Sequence, residues 1–176
     1  LAAFYYTGVA RGAMLTLKRA APRELAAFFG NRLAKLYRAA HKNPPDLVVC
    51  VPMSGRRRRA RGFNQAEILA KNTAGALGAP FARRALRQVR PVRTQHTLTH
   101  AQRAENVRHA YEADAKAVSG KRVLLIDDII TTGATVRECR EALRAAGAAG
   151  VMIACAASAA PAARKSAARV GRERLS

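Results

Sequence analysis

Acidic side chains are scarce in this chain of 176 residues: 11 Asp and Glu stand against 32 Lys and Arg, a formal net charge of +21. Cysteine is scarcer still. Cys50, Cys139 and Cys155 are odd in number, far apart and free of any Cys-x-x-Cys pair, so neither a disulfide framework nor a zinc ribbon is supported. A reducing, cytoplasmic compartment is the resulting expectation. Tryptophan is absent and aromatics make up 5% of the chain, which leaves few rings for stacking on nucleic-acid bases. Long apolar runs are missing as well. The longest uncharged stretch, residues 145–163, is mostly Ala and is interrupted by Gly147, Gly150 and Pro161, so it reads as folded structure and no membrane insertion is expected. The N-terminus lacks the basic-then-apolar order of a secretory signal. Neither Gly-x-Gly-x-x-Gly nor Gly-Lys-Ser/Thr occurs, which removes the dinucleotide fingerprint and the P-loop.

What remains is ordinary globular material with an unusual charge. The hydrophobic set is 49% and charged residues are 24%, values that exclude disorder, and the length suits one domain able to bury its own core. Positions 1–100 hold 19 basic and 3 acidic residues, positions 101–176 hold 13 and 8, so the excess sits in the first part. Such a surface implies a polyanionic partner: nucleic acid, an anionic surface or a phosphate-rich ligand. A competing explanation is compositional. With 25 Arg and 40 Ala in the chain, a coding bias toward these two residues accounts for the charge equally well.

The apolar pattern places an amphipathic helix over Pro22 to Ala40, with Leu25, Phe28, Phe29, Leu33, Leu36 and Tyr37 at three- and four-residue steps. Leu47 to Val51 is a short β-branched run, the pattern of a strand buried on both faces. Pro52, Ser54 and Gly55 then break it into a loop carrying Arg56 to Arg59 and Arg61. A helix through Ile68, Leu69, Ala76 and Leu77 closes near Gly78, with Asn64 as its cap, or with Asn64 and Gln65 ordering the arginine loop. Residues 83–90 suggest a second strand, and 91–106 a long polar loop. Val123 to Ile126 form another doubly buried strand ending in Asp127-Asp128. A helix marked by Val136, Cys139 and Leu143 follows, capped by Gly147, and Val151 to Ala156 is the next strand. Strand, helix, strand with short connections is the crossover unit of a parallel sheet, so the class is α/β. The polar tail from Arg164 to Ser176 reads as an exposed basic end.

Val123 to Thr135 carries the most chemistry. Ligands of open parallel sheets bind outside the carboxyl ends of strands, where the two acids fall. Adjacent carboxylates there can accept hydrogen bonds from vicinal hydroxyls or hold Mg²⁺ through water. Thr131, Thr132, Gly133, Ala134 and Thr135 then open a helix whose N–H groups and dipole favour a phosphate. A sugar phosphate satisfies both halves. Simple capping needs one hydroxyl, not three, and a response-regulator acid pair would sit at the first strand.

This thirteen-residue segment resembles the ribose-phosphate signature of type I phosphoribosyltransferases, which use 5-phosphoribosyl-1-pyrophosphate (PRPP). Val51-Pro52, Arg61 to Gln65, Gln95, Leu98, Arg103 and Asn106-Val107 narrow the resemblance to the ComF group, associated with bacterial DNA uptake and competence. The resemblance implies a mostly parallel central sheet flanked by helices, with a core over about residues 20–157, and residues 1–20 or 157–176 are the alternatives for a hood. It implies that Asp127 and Asp128 hold the ribose hydroxyls and that Thr131 to Thr135 wrap the 5′-phosphate. Pro52, Met53, Ser54, Gly55, Arg56 and Arg57 occupy the place of the pyrophosphate loop, and Arg93, Gln95 and Arg103 that of the mobile loop that closes over PRPP. Mg²⁺ would enter with the ligand and through water, with no metal held by the protein alone. The group's N-terminal zinc ribbon has no counterpart in these residues, and His96 and His100 lack the partners of metal ligands.

Three functions stay open on the sequence: a phosphoribosyltransferase, a non-catalytic sensor of PRPP or a nucleotide, and a basic DNA-handling factor with weak, non-specific affinity for single strands. No segment identifies the acceptor base.

Overall fold

The computed structural model describes residues 1–92 and 109–159. In chain order these form β1 (Ala2–Tyr5), α1 (Gly8–Ala20), α2 (Arg23–Ala40), β2 (Leu47–Cys50), α3 (Gly55–Arg61), α4 (Gln65–Leu77), β3 (Leu86–Gln88), β4 (Tyr111–Ala113), α5 (Ala115–Val118), β5 (Arg122–Ile130), α6 (Ala134–Ala145) and β6 (Gly150–Ser158). The main sheet has the order β1-β6-β5-β2 and is parallel throughout. Phe81 adds one parallel bridge to Val48 outside β2. Val48, Val49 and Val123 to Ile126 are wholly buried, as the continuous apolar runs require of strands covered on both faces. The helix expected over residues 22–40 is α2, which turns Phe29, Leu33 and Tyr37 inward.

Several expectations need correction. The strand through Val123 to Ile126 does not stop at the acids. β6 stays paired with β5 to its end, Ile129 opposite Ala157 and Ile130 opposite Ser158, so β5 runs on through Asp127 and Asp128. Its other neighbour does leave. β2 ends at Cys50 opposite Ile126, Val51 N–H donates to the Ile126 carbonyl at 2.9 Å, and the chain departs at Pro52. The acid pair therefore lies on a strand that has a neighbour on one side only, at the mouth of a crevice in the sheet.

The arginine run is a helix, α3, instead of a loop. Ser54 Oγ accepts from the Arg57 N–H at 3.3 Å to cap it, and Gly62 ends it at a left-handed φ of 85°. Arginine is a good helix former, but α3 buries none of its side chains, so no apolar period announces it. The strand expected over 83–90 shrinks to β3 and pairs antiparallel with β4, outside the main sheet. Residues 1–20 were one of the two alternatives for a hood. Ala2–Tyr5 is instead an edge strand on β6, and α1 brings Lys18, in its last turn, to the crevice. Arg93, Gln95, His96, Leu98, His100, Arg103, Asn106, Val107 and the tail from Arg164 lie outside the described residues. None of the helices among the described residues is long and apolar enough to cross a membrane.

Candidate functional site

A cleft of about 720 Å³ opens over the carboxyl ends of β2 and β5, within the size range of small-ligand sites. Pro52, Met53, Ser54 and Arg57 line one wall; Asp127, Asp128, Thr131 and Thr135 line the other. Two distant segments that sequence reading linked to the same ligand thus face each other. Gly55 and Arg56 do not line this cleft. They face a neighbouring groove, because the helical path of α3 fans successive side chains to different sides.

Asp127 is 9% exposed, and Asp128 keeps more contact with solvent. Successive strand residues point to opposite faces, yet each carboxylate turns to accept from the next backbone N–H: Asp128 N to Asp127 Oδ1 at 2.8 Å, and Ile129 N to Asp128 Oδ1 at 2.7 Å. Lys18 Nζ lies 3.7 Å from Asp128 Oδ2. Burial, and after it the adjacent charge of Asp128, push Asp127 well above the usual carboxylate range, while Lys18 pulls it down. Arg57 and Tyr111 complete the polar wall around the pair.

A pH dependence follows. Because the folded value of Asp127 exceeds its unfolded one, the stability contributed by its protonated form is fully present below about pH 4 and is lost as pH rises through the folded value. Thermal unfolding of the wild type and Asp127→Asn between about pH 4 and pH 8 should therefore show the variant gaining on the wild type as pH rises. Parallel curves would show that Asp127 carries no displaced proton.

The anion-binding half rests on the turn into α6. Gly133 sits at φ 75° and contributes no side chain to the helix N-terminus, so the Thr135 and Val136 N–H groups, which follow Ala134, carry no side-chain cap. Thr132 Oγ1 accepts from Ala134 N at 3.4 Å, and Arg137 donates to the Thr132 carbonyl at 3.2 Å, which fixes the turn from behind. Thr132, Gly133 and Ala134 thus shape the turn, whereas Thr131 and Thr135 present side chains to the cleft.

Two cleft residues, Lys18 and Tyr111, were missed by the sequence reading. Lys18, Gln65 and Arg61 are linked in series, with Arg61 Nη1 donating to Gln65 Oε1 at 2.9 Å and Gln65 Nε2 to the Lys18 carbonyl at 3.4 Å. Tyr111, from β4, is buried at the cleft, and burial pushes its phenol up. Lys18 and Tyr111 come from separate elements, so spacing along the chain gave no signal. Asn64 proves to do two jobs. Its Oδ1 caps α4 by accepting from Ala66 N at 3.1 Å, and its Nδ2 donates to the Val51 carbonyl at 3.0 Å, tying the helix to the exit of β2.

Among the described residues no three His, Cys, Asp or Glu side chains cluster as a closed metal centre. The three thiols are free and buried, and burial pushes Cys50 and Cys155 up to about 12, outside the reactive range. The hard oxygen donors of Asp127 and Asp128 do fit Mg²⁺, which commonly takes one or two carboxylates together with ligand phosphates and water.

Residues 26–170 match the phosphoribosyl transferase domain. The chain belongs to that family. It is similar to the DNA utilization protein YhgH of Salmonella typhi, 37% identical over 111 residues, which are 63% of this chain and 48% of that protein. It is also similar to competence protein F of Haemophilus influenzae, 31% identical over 105 residues, 58% of this chain and 46% of the relative. Both names agree with the ComF resemblance, and the chain spans about half the length of these curated relatives. Among solved structures, glutamine PRPP amidotransferase from B. subtilis, complexed with ADP and GMP, superposes with a TM-score of 0.50 at 28% identity. The match covers 74% of this chain and 26% of that one. The parallel sheet flanked by helices is the type I phosphoribosyltransferase fold.

Proposed function

We propose that the cleft binds PRPP and serves transfer of its phosphoribosyl group. The observation that carries this reading is the continuity of β5, turn and α6: an acid pair and a helix start open into one cleft, opposite Ser54 and Arg57. The carboxylates of Asp127 and Asp128 line the cleft and suit the ribose 2′- and 3′-hydroxyls, Asp128 Oδ2 being shared with Lys18. Thr131, Thr135 and the first N–H groups of α6 suit the 5′-phosphate. Arg57, with Met53 and Ser54 at the capped start of α3, faces the pyrophosphate end, where a guanidinium presents paired donors and keeps its charge. Asp127 or Asp128 would hold Mg²⁺ arriving with the ligand, and the ion would neutralise charge on the departing pyrophosphate.

In the transfer the C1–O bond breaks, pyrophosphate leaves with the electron pair, and a nitrogen nucleophile forms the C1–N bond and gives up its proton. Calorimetric titration with PRPP and Mg²⁺ tests the binding. Saturable heat, competed separately by ribose 5-phosphate and by pyrophosphate, is expected; absence of heat overturns the reading. Pyrophosphate release across a panel of nucleobases then tests transfer. Binding without release for any base would assign a sensor role. The names of the relatives support DNA utilization as the physiological setting.

A further inference from the structure

Lys18 brings a positive charge to the acid pair from a separate element. It stands in the last turn of α1 and lines the cleft, with its ammonium 3.7 Å from Asp128 Oδ2. That distance makes the contact one of charge instead of a hydrogen bond. The Oδ1 oxygens of the pair are served from the backbone, Asp127 by the Asp128 N–H and Asp128 by the Ile129 N–H.

The end of α1 is held by other means. Met14 and Leu17 are wholly buried, and Gln65 Nε2 donates to the Lys18 carbonyl at 3.4 Å. Gln65 is itself 1% exposed at the start of α4 and accepts from Arg61 Nη1 at 2.9 Å. α1 is thus docked by its apolar face and by Gln65, and a partly exposed ion pair adds little to that. What the ammonium changes is the field at the carboxylates. The pair carries at most two negative charges, and Lys18 offsets one of them.

Adjacent carboxylates with hard oxygen donors are also a landing place for a free divalent cation, which would keep its water and cover the oxygens that suit ribose hydroxyls. A second cation beside Lys18 meets repulsion unless it brings anions of its own. An ion chelated by a pyrophosphate does bring them. We propose that Lys18 is a specificity-determining residue that keeps the free divalent ion off Asp128 and admits it only in complex with the phosphorylated ligand, Gln65 being the residue that positions Lys18. The inference rests on the reading of the cleft as a PRPP site and adds the form in which the metal is accepted.

The test titrates Mn²⁺ alone into the ligand-free protein and follows the electron paramagnetic resonance of the free ion. Lys18→Met should bind Mn²⁺ about tenfold or more tightly than wild type, because a unit charge beside a divalent ion accounts for that factor even at the dielectric of water. Lys18→Arg, which keeps the charge, should match wild type. Adding Asp128→Asn to Lys18→Met should abolish the gain. Gln65→Met, similar in volume but unable to donate, should tighten Mn²⁺ in the same direction and add nothing in the Lys18→Met background; wild-type affinity in Gln65→Met overturns its positioning role. Calorimetry should show Mg²⁺-PRPP binding Lys18→Met no more tightly than wild type. A site that is merely loosened would instead bind both the free ion and the complex more weakly, which counts against the proposal. Thermal unfolding checks each variant, and Lys18→Gln repeats the test with a polar side chain. Equal Mn²⁺ affinity in wild type and Lys18→Met overturns the proposal and leaves PRPP binding standing, as does a gain that survives Asp128→Asn. Wild-type protein that takes no Mg²⁺-PRPP, while Lys18→Met still gains Mn²⁺, removes the PRPP reading and retains the exclusion by Lys18.

Discussion

Asp127→Asn combined with Asp128→Asn should weaken PRPP binding by about 100-fold or more. Each carboxylate is proposed to accept a ribose hydroxyl, and hydrogen bonds to charged groups contribute about 1.5–3 kcal/mol each, so losing both costs roughly two or more decades. The fold should survive. An amide oxygen at position 127 can still accept from the following N–H, as one at position 128 can from Ile129. Removing both charges also relieves the repulsion that burial aggravates at Asp127. Lys18 loses its partner, but that pair spans 3.7 Å at a partly exposed site, where such contacts contribute little. Calorimetry on the double variant, beside a melting curve, decides the matter. Undiminished affinity in a folded double variant would remove the acid pair from the site.

The pair was legible because it follows an apolar run, and such runs become central strands wherever helices cover both faces. The same logic gave β2 and β6, and a three- and four-residue apolar period gave α2. Both signals failed where an element is very short or buries no side chain. β1 has four residues at the sheet edge, and β4 is three residues of a ribbon, too short for any period to emerge. α3 exposes every side chain, so only its cap residues, Ser54 and Gly62, carried a signal. Within the site, both halves of the cleft were visible as local motifs, while Lys18 and Tyr111 enter through tertiary packing alone. The same packing separates Arg57, which faces both cavities, from Arg56, which faces the groove: adjacent residues in sequence acquire different partners once α3 is wound.

Gly30→Ala should destabilise the protein by about 1–3 kcal/mol, although alanine is the better helix former by about 1 kcal/mol in an exposed helix. The sign reverses because of what α2 packs against. A Cβ at Gly30 would fall 2.5 Å from Asn72 Cβ, 3.0 Å from the Asn72 carbonyl carbon and 3.1 Å from Thr73 N, all on or next to the backbone of α4. No rotamer change clears these contacts, so the helices must separate. Thr73 at the crossing is fully buried, its hydroxyl donating to the Leu69 carbonyl at 2.8 Å, and parting the helices would strip the packing around it. For a chain of this length such a loss lowers the melting temperature by roughly 2–10 °C. Urea unfolding should show an earlier midpoint with an unchanged slope, since the area exposed on unfolding is the same. PRPP affinity should change little. Asn64, at the start of α4, lies eight residues from Asn72, about 12 Å along the helix, and is held by its own bond to the Val51 carbonyl. A variant as stable as the wild type would show that α2 and α4 can part at no cost. Affinity falling in step with stability would instead show that their contact holds the mouth of the cleft in place.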